Sequence, residues 1–135
     1  MILIINTADN EKVFIGLAGK GKLLIQKKFK AQYQQAEKLL VEINKLLIIK
    51  NSEPGALKGI AVVNGPGPFT ALRIGVATAN TLAWALNIPV AGIKSTDFSD
   101  IRDLIKISEK KVKKAPVGDV VEPLYGKEPN ITLKK

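Results

Sequence analysis

The sequence predicts an α/β fold with one mixed five-stranded sheet and the element order βββαβαβα. Short apolar runs rich in β-branched residues recur along the chain, and longer segments between them show the three- and four-residue spacing of helices. Turn-forming residues separate these segments. A chain of 135 residues, 46% of them hydrophobic, suits one domain whose crossover connections place helices against the sheet.

The first three strands are predicted to form an antiparallel meander. The run MILIINTA is apolar and β-branched, as in a buried central strand. Turns at residues 8–10 and 19–21 lead into KVFIGLA and then KLLIQKKF. The third strand carries a row of lysines typical of a protected sheet edge: Lys22, Lys27, Lys28 and Lys30.

Three helices and two further strands follow. Residues 32–50 are predicted to form an amphipathic helix, and LKGIAVVNG the fourth strand. The second helix is expected at residues 68–87, and IPVAGI is the fifth strand. Ser95 or Thr96 is expected to cap a third helix that runs to about Ser108.

The second helix is unusual because it is apolar nearly all round. Arg73 is the only charged residue between positions 59 and 93, and Trp84 is interpreted as a packing residue rather than a stacking platform. Gly75 lies in the helix interior, where glycine costs about 0.5–1 kcal/mol relative to alanine, so close packing is expected there. The sheet can cover one side of this helix, and a second protein is expected on the other.

A glycine-proline turn precedes this helix, and we call it the signature turn: Asn64, Gly65, Pro66, Gly67 and Pro68. Pro68 suits the first turn of a helix, and the glycines permit a tight turn or a close approach of another backbone. A phosphate cradle is the alternative interpretation. It is disfavoured because no glycine-rich phosphate motif is present and the two prolines lack N–H donors.

Composition excludes several classes of function. The sequence has no Cys and no His, which removes disulfides, thiolate metal sites and most nucleophile-base pairs. Asp97, Asp100 and Asp103 are interpreted as solvated charges near a helix N-terminus rather than a metal site. The net charge of +9 comes mostly from lysine; a solvated surface is favoured over nucleic-acid binding, which stays a candidate. No signal peptide or membrane span is predicted, so a cytoplasmic protein is expected.

The predicted domain organisation is one lobe at residues 1–108, followed by a lysine-rich linker and extended C-terminal segment at residues 109–135. The stretch VVEPLYGKEPNITL is expected to dock as a short extended piece. Its prolines and glycine exclude a helix: Pro123, Gly126 and Pro129.

The segment GPGPFTALRIGVATANTLAWALNIPVAGIKS closely resembles the corresponding signature of the TsaB (YeaZ) family of bacterial tRNA threonylcarbamoyladenosine biosynthesis proteins. ILIINTA, QQAEKLLVEINKLL and VVEPLYGK are similar to other parts of that family. The resemblance implies a ribonuclease-H-like, actin-like ATPase lobe. Since the family's second lobe is largely missing from the sequence, a shortened one-lobe form is expected.

The resemblance also implies a role. TsaB-type proteins are non-catalytic partners of a TsaD-like transferase, which holds the nucleotide and metal, so no catalytic, cofactor or metal residue is expected in this chain. A TsaE-like ATPase joins the pair, tRNA is reached through the complex, and homodimers use the same helices, here about 33–49 and 68–86. The expected partner-facing residues are Leu39, Ile43, Leu46, Phe69, Leu72, Arg73, Gly75, Val76 and Ala79.

Departures from the family pattern leave alternatives open. Asn6-Thr7-Ala8 stands where the family commonly has Asp-Thr-Ser, and a neutral amide is a poor Mg²⁺ ligand. Pro68 and Ala71 replace a usual Ser and Gly. The alternatives are a minimal actin-like nucleotide-binding phosphotransferase and a protein that binds tRNA directly through its lysines. For Arg73 the candidates are a partner's acidic residue, a tRNA phosphate, carbonyls of its own turn, or Glu53.

Overall fold

The computed structural model describes residues 1–9, 11–30 and 35–125, and it confirms the predicted order βββαβαβα. Residues 32–34 of the predicted first helix lie outside the described residues, as do Asn10 and residues 126–135. A short 3₁₀ turn at Pro54–Ala56 follows the first helix. The elements are β1 (Ile2–Asn6), β2 (Lys12–Gly19), β3 (Lys22–Lys30), α1 (Gln35–Ile49), β4 (Gly59–Gly65), α2 (Phe69–Leu86), β5 (Val90–Lys94) and α3 (Ile101–Lys114).

The sheet is mixed, with the strand order β3-β2-β1-β4-β5. The first three strands form the predicted antiparallel meander, and the lysine-rich β3 is at the edge. Both β1 with β4 and β4 with β5 pair in parallel. The parallel strands therefore end at one edge of the sheet, at Asn6, Gly65 and Lys94, which we call the carboxyl edge.

Helices cover both faces of the sheet. Leu3 and Ile5 of β1 pack into the cluster that includes α1 and α2, whereas Ile2 and Ile4 pack into the cluster that includes α3. Since alternate residues of a strand face opposite sides, both faces of β1 are buried, which explains its continuous apolar run. Among the described residues, no helix is both long and apolar enough to cross a membrane.

The third helix differs from its prediction at both ends. Asp100, not Ser95 or Thr96, is the N-cap, and its side chain accepts a hydrogen bond from the Asp103 amide at 2.8 Å. The helix runs to Lys114, so the predicted linker from residue 109 is wrong for its first turn and a half. Leu104, Ile105, Ser108 and Val112 keep a helical spacing and are buried, and this stripe extends the helix through the lysines.

A buried carboxylate ties α1 to the edge strand. Glu42 is only 6% exposed, and its Oε1 lies 2.7 Å from the Nζ of Lys27 on β3. Lys45 lies further away, 3.9 Å from Oε2. The hydrogen bond from Lys27 holds the pKa of Glu42 below its ordinary value of 4.5, against the opposing effect of burial.

This pair predicts an acid-sensitive contribution to stability. A folded-state pKa below the unfolded value means that Glu42 stabilises the fold above pH 4.5, and that this stabilisation is lost as the pH falls through the folded pKa. We expect Glu42→Gln to lower the free energy of unfolding by about 1 kcal/mol near neutral pH, with a smaller difference from wild type in acid. Chemical denaturation of wild type and variant, from neutral pH to below pH 4.5, measures this difference in the free energy of unfolding. Glu37→Gln, an exposed carboxylate on the same helix, is the control, and a difference independent of pH would contradict the prediction.

Candidate functional site at the carboxyl edge of the sheet

The signature turn leads from β4 into α2, and its first glycine is required for two reasons. Gly65 has a φ of 124°, a conformation that other residues rarely adopt. A Cβ at this position would also overlap the carbonyl oxygen of Leu124. Pro68 differs slightly from its prediction: it is the N-cap of α2 rather than a residue of the first turn, and its carbonyl accepts from the Leu72 amide at 2.9 Å.

The turn joins the ends of the three parallel strands. Gly67 packs against Ala8, the second residue after β1, since a Cβ on Gly67 would lie 2.7 Å from the carbonyl oxygen of Ala8. Ser95, which follows β5, donates its amide to the Gly65 carbonyl at 2.8 Å and its hydroxyl to the Pro66 carbonyl at 2.9 Å. Contacts within the chain therefore occupy the turn from two sides.

The C-terminal segment closes the third side, and it docks in the extended form that was predicted. We define it as residues 120–125. Asn80 of α2 holds the backbone of Val121 from both sides, accepting from its amide and donating to its carbonyl, each at 2.9 Å. Asn64 donates its side-chain amide to the Glu122 carbonyl at 2.9 Å, and its backbone carbonyl accepts from the Leu124 amide at 2.7 Å. Two asparagine side chains and one backbone carbonyl thus take the place of a neighbouring strand.

Three side chains stack at the end of this docked segment, and one of them, Tyr125, belongs to the segment. The rings of Phe69 and Tyr125 lie 4.3 Å apart between centroids, with 27° between their planes. The guanidinium carbon of Arg73 lies 5.5 Å from the Phe69 centroid, within the range of a cation–π interaction. Among the alternatives open for Arg73, the described residues provide no carboxylate partner within 4.0 Å, and Glu53 is not paired with it. Its contact within the chain is the aromatic ring.

The residues at this edge do not fit a metal ion. The Oδ1 of Asn6 accepts a hydrogen bond from the Ala8 amide at 2.9 Å, so the amide that replaces the expected carboxylate stabilises its own turn. In residues 1–9, 11–30 and 35–125, no group of three or more His, Cys, Asp or Glu could hold a metal. The three aspartates near α3 serve the fold, because Asp100 caps the helix, Asp103 accepts from Ser99, and Asp97 pairs with Lys111 at 4.0 Å.

Most of the residues expected at a partner interface lie in the core of this chain, which corrects that part of the prediction. Most of these residues belong to the apolar stripes of α1 and α2 that face the sheet. Phe69 and Arg73 are the members of the set that are exposed. The buried members are Leu39, Ile43, Leu46, Leu72, Gly75, Val76 and Ala79.

Gly75 supports close packing within the chain. A Cβ on Gly75 would overlap the Oγ1 of Thr7 and would lie 2.9 Å from its Cγ2. The helix therefore approaches the end of β1 more closely than alanine would allow. Thr7 is itself 1% exposed, and its hydroxyl has no hydrogen-bond partner among the residues that the structure describes.

The outward sides of α1 and α2 carry exposed apolar side chains, of which the sequence analysis named Phe69 as partner-facing. Trp84, interpreted as a packing residue, is 85% exposed, because the buried residues of α2 lie mainly on the other side of the helix. We call the following set the α1–α2 outer surface: Leu40, Val41, Ile48, Ile49, Phe69 and Trp84, all between 48% and 85% exposed.

A sequence model of the family described as TsaD, tRNA N6-adenosine threonylcarbamoyltransferase, matches residues 29–117, more than half of the chain. The chain belongs to the TsaD family. It is 42% identical over 55 residues to the tRNA threonylcarbamoyladenosine biosynthesis protein TsaB of Bacillus subtilis, covering 41% of this chain and 24% of that protein. It is 40% identical over 63 residues to a tRNA N6-adenosine threonylcarbamoyltransferase of Geotalea daltonii, covering 47% of this chain and 18% of that enzyme.

Among solved structures, YeaZ from Pseudomonas aeruginosa superposes with a TM-score of 0.63 at 28% identity, covering 69% of this chain and 43% of that one. The resemblance to TsaB (YeaZ) and the ribonuclease-H-like, actin-like fold are therefore confirmed. This member of the TsaD family matches less than half the length of each of these relatives.

The contact between Gly75 and Thr7 predicts that this TsaD-family chain will be destabilised by Gly75→Ala. Overpacking at such a site costs about 1–3 kcal/mol, which exceeds the helix-propensity gain of about 1 kcal/mol from alanine. Gly55→Ala is the matched control, since a Cβ at Gly55 would meet nothing within 4 Å. Thermal unfolding measures both variants.

A double-mutant cycle makes the same prediction specific. Thr7→Ala removes the Oγ1 and Cγ2 atoms that the new Cβ would meet, so the double variant should recover about 1 kcal/mol or more of the Gly75→Ala loss. Strict additivity of the two single changes would show that the close approach is not the cause.

The docking of the C-terminal segment predicts a local effect of Asn80→Ala. This change removes both hydrogen bonds to Val121 and should lower stability by about 1 kcal/mol. Hydrogen exchange at the amides of Val121 and Leu124 should accelerate more than exchange in β1. Asn44→Ala, at an exposed position of α1, is the control. Equal acceleration across the sheet would indicate global destabilisation instead.

Proposed function

We propose that this chain is a non-catalytic subunit in the synthesis of threonylcarbamoyladenosine in tRNA, bound to a TsaD-like transferase. Membership in the TsaD family supports the process, since the family's description names the transferase that acts on tRNA. The likeness to TsaB and YeaZ supports the subunit role. In this proposal the nucleotide and metal belong to the partner subunits, a TsaE-like ATPase joins them, and tRNA is engaged by the assembly.

The chemistry of the carboxyl edge favours the non-catalytic role over nucleotide binding. The first strand ends in the amide of Asn6, which is engaged in its own turn. The signature turn packs against Ala8, Ser95 and the C-terminal segment, and the chain itself engages the carbonyl oxygens of Asn64, Gly65 and Pro66. Calorimetric titration with ATP and Mg²⁺ tests the alternative directly, and micromolar binding would favour it.

The main observation in support of the proposed docking surface is that Trp84 is 85% exposed. Large aromatic side chains commonly anchor protein interfaces, and clustered exposed apolar residues mark docking sites. Ile48 and Ile49 on α1 are 64% and 70% exposed, and α1 packs beside α2 on the same face of the sheet. We therefore assign the TsaD-like partner to the α1–α2 outer surface rather than to the buried stripe.

Polar substitutions on this surface should weaken partner binding without unfolding the chain. We expect Trp84→Ser to raise the dissociation constant of a purified TsaD-like partner from the same genome by at least about tenfold, which corresponds to about 1.4 kcal/mol. Ile48→Ser should have a smaller effect in the same direction. Ile101→Ser is the matched control, since Ile101 is exposed on α3, on the other face of the sheet.

Size-exclusion chromatography with light scattering, together with titration calorimetry, measures these changes. If the chain forms homodimers through the same helices, Trp84→Ser should also shift it toward monomer. Unchanged partner binding by the Trp84 and Ile48 variants would refute the assigned surface. A wild-type chain that fails to bind the partner would refute the proposed function itself.

A further inference from the structure

The outer face of α3 carries a row of cationic side chains that the fold does not use. All of them are exposed. In the described ranges, no carboxylate lies within 4.0 Å of any of their side-chain nitrogens. We call this set the α3 cationic face: Arg102, Lys106, Lys110, Lys113 and Lys114.

The spacing of these residues is unfavourable for an isolated helix. Arg102, Lys106, Lys110 and Lys114 stand four residues apart, which places like charges at three successive neighbouring positions and destabilises a helix. The helix dipole favours cations only in the last turn. It therefore accounts for Lys113 and Lys114, but it disfavours Arg102 in the first turn and does not account for Lys106.

The acidic residues of this region are engaged elsewhere. Glu109 accepts a hydrogen bond from the Gly21 amide in the β2–β3 turn at 3.0 Å. Asp103 accepts from the Ser99 hydroxyl at 2.9 Å. Asp97 pairs with Lys111, which is not part of the cationic face. The charges that could neutralise this face thus stabilise the ends and neighbours of α3 instead.

We propose that the α3 cationic face binds the phosphate backbone of RNA. A row of cations about 18 Å long, at a rise of about 1.5 Å per residue, gains affinity for a polyanion by releasing its condensed counterions. A membrane surface fits less well, because an interfacial helix inserts its apolar side, and here that side is buried on the sheet through Leu104, Ile105 and Val112. A protein partner would need apolar or aromatic anchors, and Ile101 at 40% exposure is the one large apolar side chain that is exposed on α3.

This inference extends the proposed function, and the choice of RNA as the polyanionic ligand rests on that function. The α3 cationic face and the α1–α2 outer surface lie on opposite faces of the sheet. A TsaD-like partner on one face would therefore leave the other free for RNA. The two sites can also be tested separately, since RNA binding is measured on the chain alone.

The experiment is fluorescence anisotropy with the full chain and a labelled RNA hairpin of about 20 nucleotides, at several salt concentrations. We expect Lys106→Gln with Lys110→Gln to weaken RNA binding at least about tenfold at low salt, and to reduce the slope of log K against log salt by about one to two. The control pair is Lys38→Gln with Lys50→Gln, which removes the same charge from α1 and the residue after it. The control should weaken binding by less than about threefold if affinity depends on the α3 face.

Thermal unfolding at low salt separates binding from folding. Because neutralising Lys106 and Lys110 relieves repulsion within the helix, this variant should unfold at the same temperature as wild type or higher. Equal losses of RNA affinity in both double variants would overturn the proposal, because they would indicate diffuse attraction by the net charge. Absence of RNA binding at low salt, binding to a DNA duplex alone, or binding to phosphatidylserine vesicles but not to RNA would also overturn it. None of these results bears on binding of the TsaD-like partner by α1 and α2.

Discussion

The close approach of α2 to the end of β1 determines the arrangement of the functional surfaces. Gly67 packs against Ala8 before the helix begins, and Gly75 packs against Thr7 two turns into it. Two contacts along one helix fix its rotation as well as its distance from the sheet. That rotation buries Leu72 and turns Trp84 to the outside. The propensity cost of an interior glycine, about 0.5–1 kcal/mol, is offset by the apolar packing that this closeness permits.

The same helix position creates the binding site for the C-terminal segment. Asn80 lies near the middle of α2 and Asn64 at the end of β4. Their side chains, with the backbone carbonyl of Asn64, hydrogen-bond to the backbone of residues 121–124. A polar residue inside an apolar helix requires partners, and for Asn80 the chain's own backbone provides them. At the carboxyl edge, where α/β folds commonly bind ligands, the C-terminal segment covers one side of the signature turn.

The sequence was sufficient to predict the elements, their order, the antiparallel meander and the lysine-protected edge, because these depend on local periodicity and turn chemistry. It also predicted the extended docking of VVEPLYGK, although only to Tyr125 within the described residues. It could not separate the buried from the exposed side of α2. Large apolar side chains occur on both sides of that helix, Leu72 and Val76 on the buried side and Trp84 on the exposed side. The direction was decided by the contact between Gly75 and Thr7, two residues that are distant in sequence.

The prediction for α3 failed for a different reason. Lysine density was interpreted as a linker, yet long basic side chains are compatible with a helix when its apolar stripe continues, and here Ser108 and Val112 continue it.

The cations near α1 differ from those of α3 in their partners. Lys27 lies 2.7 Å and Lys45 3.9 Å from the oxygens of Glu42, and Lys38 lies over the ring of Phe29 at 5.5 Å. These three cations have partners within the fold, whereas the described residues provide no carboxylate partner for the aligned cations on the outer face of α3. Net charge alone cannot distinguish these two situations, but the position of the carboxylates does. Counterion release should therefore be concentrated at α3, where an incoming phosphate would not compete with an existing ion pair.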